Sequence, residues 1–472
     1  MQNRKDLLQA HRLMTQRAAL ALLQGEPDPP DRPLRRLNMG TFSSILVAVM
    51  AAAVFGIWGV IAPGGAQGLN SPGTLIIDSQ TGTSYVWCDG GKLLCPTVNY
   101  ASARLALQSS SPNQRTVSQA SLSSYPRGPQ IGIEGLPSPL PDPAMLVGQP
   151  WSVCVQAVPN PATGQQHTVT TLVGGRSVGG HPVGSEALIV QASGSDWVIW
   201  GGQRMLIPAK IQGNVLVALG AAQQQAETVP LAWLNAFPQG PDFAPPAVTG
   251  LGNRVTGPDG GPARIGQVFT TGSLAGTTPQ FYVMLSGGLA SITPTQATLL
   301  EAELNAKQRT INPSLVAAHQ SPAGIPPSGL PQKLPVIHST ATTAPLCVVY
   351  SGSADTAPGT PQVTAGGTVP PGGLAITGAG GLDQLTLPPG KAALAGVVSG
   401  AQGGPVAAGQ GPAVATYFLV TGGYRYGLAS PAVASYLGYS LAQRTLLPAG
   451  VVDLIPQGPS LDPSKAREQV PG

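Results

Sequence analysis

The 472-residue sequence contains few charged residues, because Asp, Glu, Lys and Arg together make up only 9% of it. An average soluble domain carries roughly 25%. With a net charge of only +4, the sequence lacks the clustered Lys and Arg that nucleic-acid binding needs, and no nucleic-acid partner is expected. General disorder is also excluded, because 42% of the residues are hydrophobic and the mean hydropathy is +0.13. The chain should therefore fold, and its length predicts about three domains.

Charge is unevenly distributed along the chain. Residues 1–40 hold seven basic and four acidic groups, and no charged residue lies between Arg36 and Asp78. That interval contains the apolar run Thr41–Ala62, which as a helix is about 33 Å long and spans a bilayer core of roughly 30 Å. Because basic residues precede the run and Lys92 is the first to follow it, the positive-inside rule predicts a cytoplasmic N-terminus and about 410 residues outside the membrane.

A cleaved signal peptide is the alternative interpretation of this run. Signal peptides have a short charged region before an apolar run of roughly 7–15 residues. Here 40 residues precede the run, and Trp58 near its far end is typical of an interfacial anchor. An uncleaved, single-pass anchor in the inner (plasma) membrane is therefore favoured.

The segment before the anchor has the composition of a helix. Asp6–Gln24 combines strong helix formers with apolar residues in approximate helical spacing, and Gly25 and a proline cluster follow it. Residues 1–40 are thus predicted to form an amphipathic cytoplasmic helix and a linker. The helix would either lie on lipid or dock on a partner helix, and its weak positive charge favours a partner.

The outer region contains similar segments at similar spacing, which indicates internal repeats. Each has a β-branched and aromatic strand, a glycine turn, a short strand, an Ala/Leu-rich helix and a closing proline-rich element. Pro96 and Pro126 are 30 residues apart, as are Pro208 and Pro238. The chain has 62 Gly and 49 Pro, a content that approaches low complexity, and much of it falls in these turns and closures.

A repeat of about 60 residues buries little surface alone, so the copies should pack on one another or on a shared core. Three strand-like segments between the copies supply that core, namely Trp151–Val158, Thr168–Val173 and Leu346–Tyr350. The predicted organisation after the transmembrane helix (41–62) is repeat 1 (70–130), the first segment of a core domain (131–190), repeat 2 (191–250), repeat 3 (265–325), the second segment of the core domain (340–390), repeat 4 (391–460) and a C-terminal tail (461–472).

Cysteine is scarce, and the four residues present allow three pairings in an oxidising compartment. We favour a disulfide between Cys154 and Cys347, which fall on two of the predicted core strands. A second, between Cys88 and Cys95, would cross the Asp89-Gly90-Gly91 turn. Free buried thiols are the alternative for each pair.

The order of these features resembles the EccB membrane component of actinobacterial type VII (ESX) secretion systems. The matching segments cover nearly the whole chain and are QAHRLMTQRAALAL, PLRRLNMGTF, NYASARLAL, WSVCVQ, PLCVVY, RYGLASP and IPQGPSLDP. The resemblance implies a single-pass membrane protein with an elongated α+β extracytoplasmic region of four pseudo-repeats around a central β-rich core domain. It implies one disulfide in that core, on Cys154 and Cys347, whereas the Cys88–Cys95 pair lies outside the family pattern and depends on spacing alone.

The function that the resemblance implies is structural. The protein would be a membrane subunit whose extracytoplasmic domain dimerises and helps to build the export channel with other type VII subunits, including an FtsK-like motor ATPase. Some family members are described as ATPases, so that activity is an alternative. A P-loop is absent here, because Leu93 and Ala392 follow the two Gly-Lys pairs where Ser or Thr is required. We therefore lean against an enzyme and expect no catalytic residue and no cofactor.

The sequence gives only weak evidence for other catalytic motifs or for a metal-binding motif. Gly175–Gly179 fits the G-x-S-x-G motif of a hydrolase around Ser177, but Gly180-His181-Pro182 stands where the motif needs a helix. No metal site is expected, because metal-ligand spacing is absent among the five histidines, His11, His167, His181, His319 and His338.

A cell-wall-binding module is the function of a different class that the sequence leaves open. Five tryptophans could serve such a module by stacking on sugars, namely Trp87, Trp151, Trp197, Trp200 and Trp233. The favoured role for these five is to fill the cores of the repeats.

Overall fold

The structure is a computed structural model that describes residues 4–25, 33–61, 68–160, 163–272, 278–339, 344–352, 359–377, 380–398 and 414–470. The helices are α1 (Arg4–Gln24), α2 (Pro33–Ile61), α3 (Tyr100–Leu107), α4 (Gln119–Leu122), α5 (Gln212–Ala218), α6 (Leu231–Asn235), α7 (Pro294–Leu304), α8 (Pro313–Ala318), α9 (Ala432–Leu437) and α10 (Ala449–Val452). The strands are β1 (Thr74–Asp78), β2 (Ser84–Cys88), β3 (Leu93–Pro96), β4 (Asn113–Val117), β5 (Trp151–Pro159), β6 (Gln166–Gly174), β7 (His181–Pro182), β8 (Leu188–Ala192), β9 (Ser195–Trp200), β10 (Gln203–Leu206), β11 (Glu227–Thr228), β12 (Arg254–Thr256), β13 (Pro262–Arg264), β14 (Val268–Thr271), β15 (Gln280–Leu285), β16 (Gly288–Ile292), β17 (Arg309–Ile311), β18 (Leu346–Tyr350), β19 (Gln362–Ala365), β20 (Leu374–Ala375), β21 (Gln384–Thr386), β22 (Ala393–Val398), β23 (Val414–Thr421), β24 (Tyr424–Gly427) and β25 (Thr445–Pro448).

The chain divides into two compact units. The smaller comprises Met1–Ser71, Ile77–Gly82 and Arg115–Pro126, and it contains α1 and α2. The larger comprises Pro72–Ile76, Thr83–Gln114 and Arg127–Gly472. The predicted N-terminal helix is confirmed, since α1 extends from Arg4 to Gln24. The predicted linker lies mostly in residues 26–32, which are outside the described residues of the chain.

Four four-stranded sheets share one strand order, and each, with its two helices, is called a module, numbered 1 to 4 along the chain. The orders are β3-β2-β1-β4, β10-β9-β8-β11, β16-β15-β14-β17 and β24-β23-β22-β25. In the last three sheets the fourth strand lies parallel to the first, and the other pairs are antiparallel. A parallel neighbour needs a crossover connection, which α5, α7 and α9 provide.

The proline-rich closing segments lie against the outer strand of each module. In modules 1, 2 and 4 a parallel bridge joins this segment to β3, β10 or β24. The glycine of each Pro-x-Gly-Pro closure lies close to the outer strand. A Cβ would lie 2.4 Å from Cys95 Sγ at Gly128 and 2.5 Å from a Tyr426 ring carbon at Gly458, and at Gly240 it would lie 3.1 Å from Met205 Cγ.

In module 3 the glycine at this contact lies on the outer strand and not in the closing segment. Its closing segment bridges β16 at Leu289 and Gln320 and has no glycine at the contact. Instead, β16 begins with Gly288, where a Cβ would lie 2.3 Å from the His319 carbonyl oxygen. In this module the small residue at the contact therefore lies on the strand and not in the closing segment.

A seven-stranded sheet, here called the central sheet, is built from two distant regions of the chain. Its order is β20-β21-β6-β5-β18-β19-β7. β5 pairs with β6 along its whole length, and β18 joins the other side of β5 in antiparallel register. All three core strands predicted from the sequence are confirmed, and β18 has the predicted bounds of Leu346–Tyr350.

One large hydrophobic core joins the central sheet to modules 2 and 4. Trp151 and Val348 on the sheet share this core with Trp233 on α6 and with Val451 on α10, and all four are fully buried. The second helices of modules 2 and 4 thus share one hydrophobic core with the sheet. Burial of each large apolar side chain contributes about 1.5–3 kcal/mol to the free energy of unfolding. Since the sheet and the two modules bury side chains in the same core, the stability of each depends on the others.

Module 1 contacts module 4 through polar groups at helix ends. Arg104 Nε on α3 donates to the carbonyl oxygen of Tyr436 on α9 at 2.8 Å. Near the C-terminus, Arg467 Nε donates to the carbonyl oxygen of Ala106 at 2.9 Å, and Gln469 pairs with Ile131 in a β-bridge. The predicted tail is therefore packed against module 1 as far as Val470, the last described residue.

Candidate functional site

Most of helix α2 is apolar and is not covered by the other residues that the structure describes. Its segment Met39–Gly59 has a mean hydropathy of 2.1, and none of it is buried in the described structure. Large side chains such as Phe42, Phe55 and Trp58 are at least 70% exposed. A helix that is hydrophobic all round needs a protein or lipid environment, so α2 is a candidate membrane span. The helix begins at Pro33, before the predicted run at Thr41, because proline suits a first helical turn and Leu and Arg continue the helix well.

The Cys154 and Cys347 sulfur atoms lie at the centre of the central sheet. Cys154 on β5 is directly opposite Cys347 on β18, with a Cα–Cα distance of 4.0 Å and an S–S distance of 2.09 Å. Both side chains are fully buried and pack against Val173 and Val178. A bond at this position joins the two chain segments, 193 residues apart in sequence, that form the sheet.

The Cys88 and Cys95 sulfur atoms lie at the outer hairpin of module 1. Cys88 ends β2 and is partly exposed, whereas Cys95 on β3 is fully buried, and their sulfur atoms are 1.89 Å apart. Gly90 in the intervening turn has a φ of +67°, which a glycine adopts without strain. Both sulfur atoms also lie close to Gly128 in the closing segment of the same module.

Two hydrogen bonds fix α6 to the central sheet. Trp233 Nε1 donates to the carbonyl oxygen of Leu346 at 3.1 Å, and the Tyr350 hydroxyl donates to the carbonyl oxygen of Ala236. The Trp233 ring also packs edge-on against Phe237, with ring centroids 5.1 Å apart. Burial raises the pKa of Tyr350, which keeps the hydroxyl protonated as a donor.

Ser177 does not lie in the surroundings of a hydrolase nucleophile. Its Oγ accepts a weak hydrogen bond from the Gly179 amide at 3.3 Å, and the next element is β7 rather than a helix. Across the residues that the structure describes, no group of three or more His, Cys, Asp or Glu side chains is arranged to hold a metal ion. Two of the five histidines make side-chain hydrogen-bond contacts, His319 with the Leu315 carbonyl oxygen and His338 with Glu186.

The five tryptophans that follow α2 in sequence differ in exposure. Trp151 and Trp233 are fully buried and are unavailable to a ligand, whereas the other three are partly exposed (Trp87, Trp197 and Trp200). Trp197 on β9 lies under the guanidinium of Arg204, 5.6 Å from the ring centroid. Trp200, at the end of the same strand, lines a cavity.

That cavity has a volume of about 430 Å³ and lies between module 2 and an edge of the central sheet. One wall comes from residues 182–188 and 199–202, and the other from residues 360–363 at the start of β19. Among its lining residues, Glu186 carries the charge. Sequence reasoning named Trp200 but missed Glu186 and Gln362, because nothing in the sequence indicates that segments some 160 residues apart face each other.

Taken together, a candidate membrane-spanning helix and a large, sheet-rich α+β region define a membrane protein without a recognisable catalytic centre in its described residues. The chain belongs to the family described as type VII secretion system ESX-1, transport TM domain B, whose model matches residues 2–471. The expected membership of the EccB family is thereby confirmed.

Similar proteins and structures come from mycobacterial secretion systems. The ESX-5 secretion system ATPase EccB5 of Mycobacterium marinum (strain ATCC BAA-535 / M) is 32% identical over 320 residues, which cover 65% of this chain and 61% of that protein. The chain thus matches about three fifths of the length of that relative. A solved structure of an intact ESX-5 inner membrane complex aligns with a TM-score of 0.61 and 26% identity, covering 100% of this chain and 96% of the matched one. The periplasmic assembly of the ESX-5 inner membrane complex aligns with a TM-score of 0.60 and 27% identity, covering 87% and 96%.

Proposed function

We propose that this protein is a structural membrane subunit of a type VII secretion complex and that its extracytoplasmic region helps to build the export channel. The observation that carries the proposal is the alignment of the whole chain with a subunit of an intact ESX-5 inner membrane complex. The uncovered apolar surface of α2 supports a membrane location.

In this proposal the N-terminus is cytoplasmic and the bulk of the chain is extracytoplasmic. The basic residues before α2 support that orientation. So does the similarity of 87% of the chain to a structure described as a periplasmic assembly. An oxidising outer compartment is also where the Cys154–Cys347 and Cys88–Cys95 bridges would form and persist.

The finer architecture belongs to the same proposal. Modules 1 to 4 are four pseudo-repeats, and the central sheet is the core domain around which they are arranged in an elongated region. The shared strand order of the four sheets supports this division. The common contact of each closing segment with its outer strand supports it as well.

The proposed partners follow from membership of the family. They are a second copy of the chain, bound through the extracytoplasmic region, and the other membrane subunits, including an FtsK-like motor ATPase. Helix α1 would dock on a partner in the cytoplasm, because Leu8, Met14 and Leu22 are more than half exposed.

ATPase activity does not belong to this proposal, although the similar ESX-5 protein is named an ATPase. The sequence lacks the P-loop that cradles phosphates, as the residues after both Gly-Lys pairs show. The cavity beside Trp200 is also unsuited to a triphosphate, because among the described residues that line it the charged one is the acidic Glu186.

Co-purification of the full-length protein tests the structural role. After mild detergent extraction from the native host, we expect a tagged chain to migrate in a large complex that contains a motor ATPase and at least two copies of the chain. A protein that migrates alone under conditions where the other secretion subunits stay assembled would contradict the proposal.

A double substitution in α2 tests the anchor. Val47→Arg/Val54→Arg places two charges in the span, and insertion scales assign each about 2.5–3.5 kcal/mol near the helix centre. We expect the variant to lose carbonate-resistant membrane attachment. The control is Val217→Arg on α5, since Val217 is 64% exposed and Val47 60%, and an arginine in water costs little. Equal membrane retention of the double variant and the wild type would show that α2 is not the anchor.

A further inference from the structure

The cavity beside Trp200 has one aromatic wall that is held in place. Trp200 Nε1 donates to the carbonyl oxygen of Ser185 at 3.2 Å, so the polar edge of the indole is satisfied within the protein. The ring is partly exposed and lines the cavity. Its carbon surface is therefore available to an apolar face of a ligand.

A glycine pair allows the two walls to come close together. Gly202 has a φ of +73°, and a Cβ there would lie 2.3 Å from Thr360 Cγ2. Gly201 and Gly184 also line the cavity, and apart from their chain neighbours no atom lies within 4 Å of where a Cβ would be. The cavity thus has the Trp200 indole on one side and residues 360–363 on the other.

The polar groups of the cavity are few and suit hydroxyl donors. Glu186 Oε2 contacts His338 Nδ1, which positions the carboxylate, and Glu186 has a second oxygen to accept a hydrogen bond. Gln362 adds an amide that both donates and accepts. Because none of the described residues that line the cavity is basic and Glu186 is acidic, an anionic ligand is disfavoured.

We propose that this cavity binds a neutral hexopyranose ring of a glycan. A pyranose has an apolar C–H face that matches the indole and equatorial hydroxyls that match the carboxylate and amide. The volume of about 430 Å³ is in the range of small-ligand sites, which are mostly apolar with a few placed polar groups. This site is independent of the secretion role, so either proposal stands if the other fails.

The test is whether neutral disaccharides bind to the full-length protein in detergent, and saturation-transfer NMR is the method that detects binding. The probes are cellobiose and N,N′-diacetylchitobiose, with galacturonic acid as the anionic counterpart and hexaproline as a peptide competitor. We expect at least one neutral disaccharide to bind and galacturonic acid not to bind.

Two substitutions with matched controls locate the site. Trp200→Leu should raise Kd for the disaccharide at least about tenfold, which is about 1.4 kcal/mol, and Glu186→Gln should raise it several-fold because the carboxylate accepts hydroxyl hydrogen bonds. The controls are Trp87→Leu, a partly exposed tryptophan of module 1, and Glu303→Gln, a carboxylate on α7 that accepts a hydrogen bond from Asn214 and does not line the cavity. Both should bind within about twofold of wild type.

Three results would overturn the proposal. They are no binding of either disaccharide by the wild type, unchanged affinity in Trp200→Leu, or binding of hexaproline with exclusion of sugar, which would make the cavity a peptide site. Circular dichroism and the melting temperature of each variant separate a lost site from a lost fold.

Discussion

Replacing Trp233 by alanine should lower the free energy of unfolding by about 3–5 kcal/mol. The side chain is fully buried where α6 covers the central sheet, and its removal leaves a cavity in the core that also joins module 4. The substitution also leaves the Leu346 carbonyl oxygen without the indole donor at 3.1 Å. Denaturant unfolding of the detergent-solubilised full-length protein, followed by near-UV circular dichroism, measures the loss.

Two variants separate volume from hydrogen bonding at this position. Trp233→Phe keeps most of the apolar volume and should lose only about 1–3 kcal/mol, because it removes the indole hydrogen bond to the Leu346 carbonyl oxygen. Trp87→Ala is the matched control outside this core, and it should cost less than Trp233→Ala because Trp87 is already partly exposed. If the two alanine variants unfolded at the same denaturant concentration, the shared core would not be what stabilises the outer region.

Removing the proposed Cys154–Cys347 bridge should be the second large effect. The double variant Cys154→Ala/Cys347→Ala opens a link between residues 193 apart in sequence, for which the loop-entropy model gives on the order of 5 kcal/mol as an upper figure. The ladder hydrogen bonds between β5 and β18 persist in the variant, so we expect a folded protein with a lower unfolding free energy rather than an unfolded one.

The Cys88–Cys95 pair is the internal control for that experiment. Its residues are 7 apart in sequence, so the same model assigns Cys88→Ala/Cys95→Ala a loss smaller by about 3 kcal/mol. Non-reducing peptide mapping of the wild type establishes which bridges are present before the variants are compared. Equal losses in the two double variants, or four free thiols in the map, would contradict the assignment.

Local patterns in the sequence were enough to predict individual elements. The core strand Leu346–Tyr350 was predicted with its bounds, because a short β-branched and aromatic run between a proline and a glycine has few other conformations. Helix α1 ends at Gln24, as the following Gly25 indicates. The start of α2 was less predictable, because hydropathy marks the membrane-crossing residues and not the helical turns that precede them.

Residues that contact distant regions of the chain were harder to predict. The closing glycines were noticed as a pattern, but only the close approach of Gly128 and Gly240 to their outer strands explains them. Gly288 was missed because the same contact in module 3 places the small residue on the strand. Glu186 had no sequence signal at all, since its role in the cavity depends on the wall formed by residues 360–363.

The sequence by itself determined that this protein folds, that it carries one long apolar segment behind a basic leader, and that its family is that of the type VII component. Those properties follow from composition, hydropathy and the order of short motifs, which are local along the chain. Only the tertiary structure decided that four sheets share one strand order, that α6 and α10 share a hydrophobic core with the central sheet, and that Trp200, Glu186 and Gln362 line one cavity. These features arise from packing between residues distant in sequence, where apolar burial and hydrogen bonding select one arrangement among many that the local patterns permit.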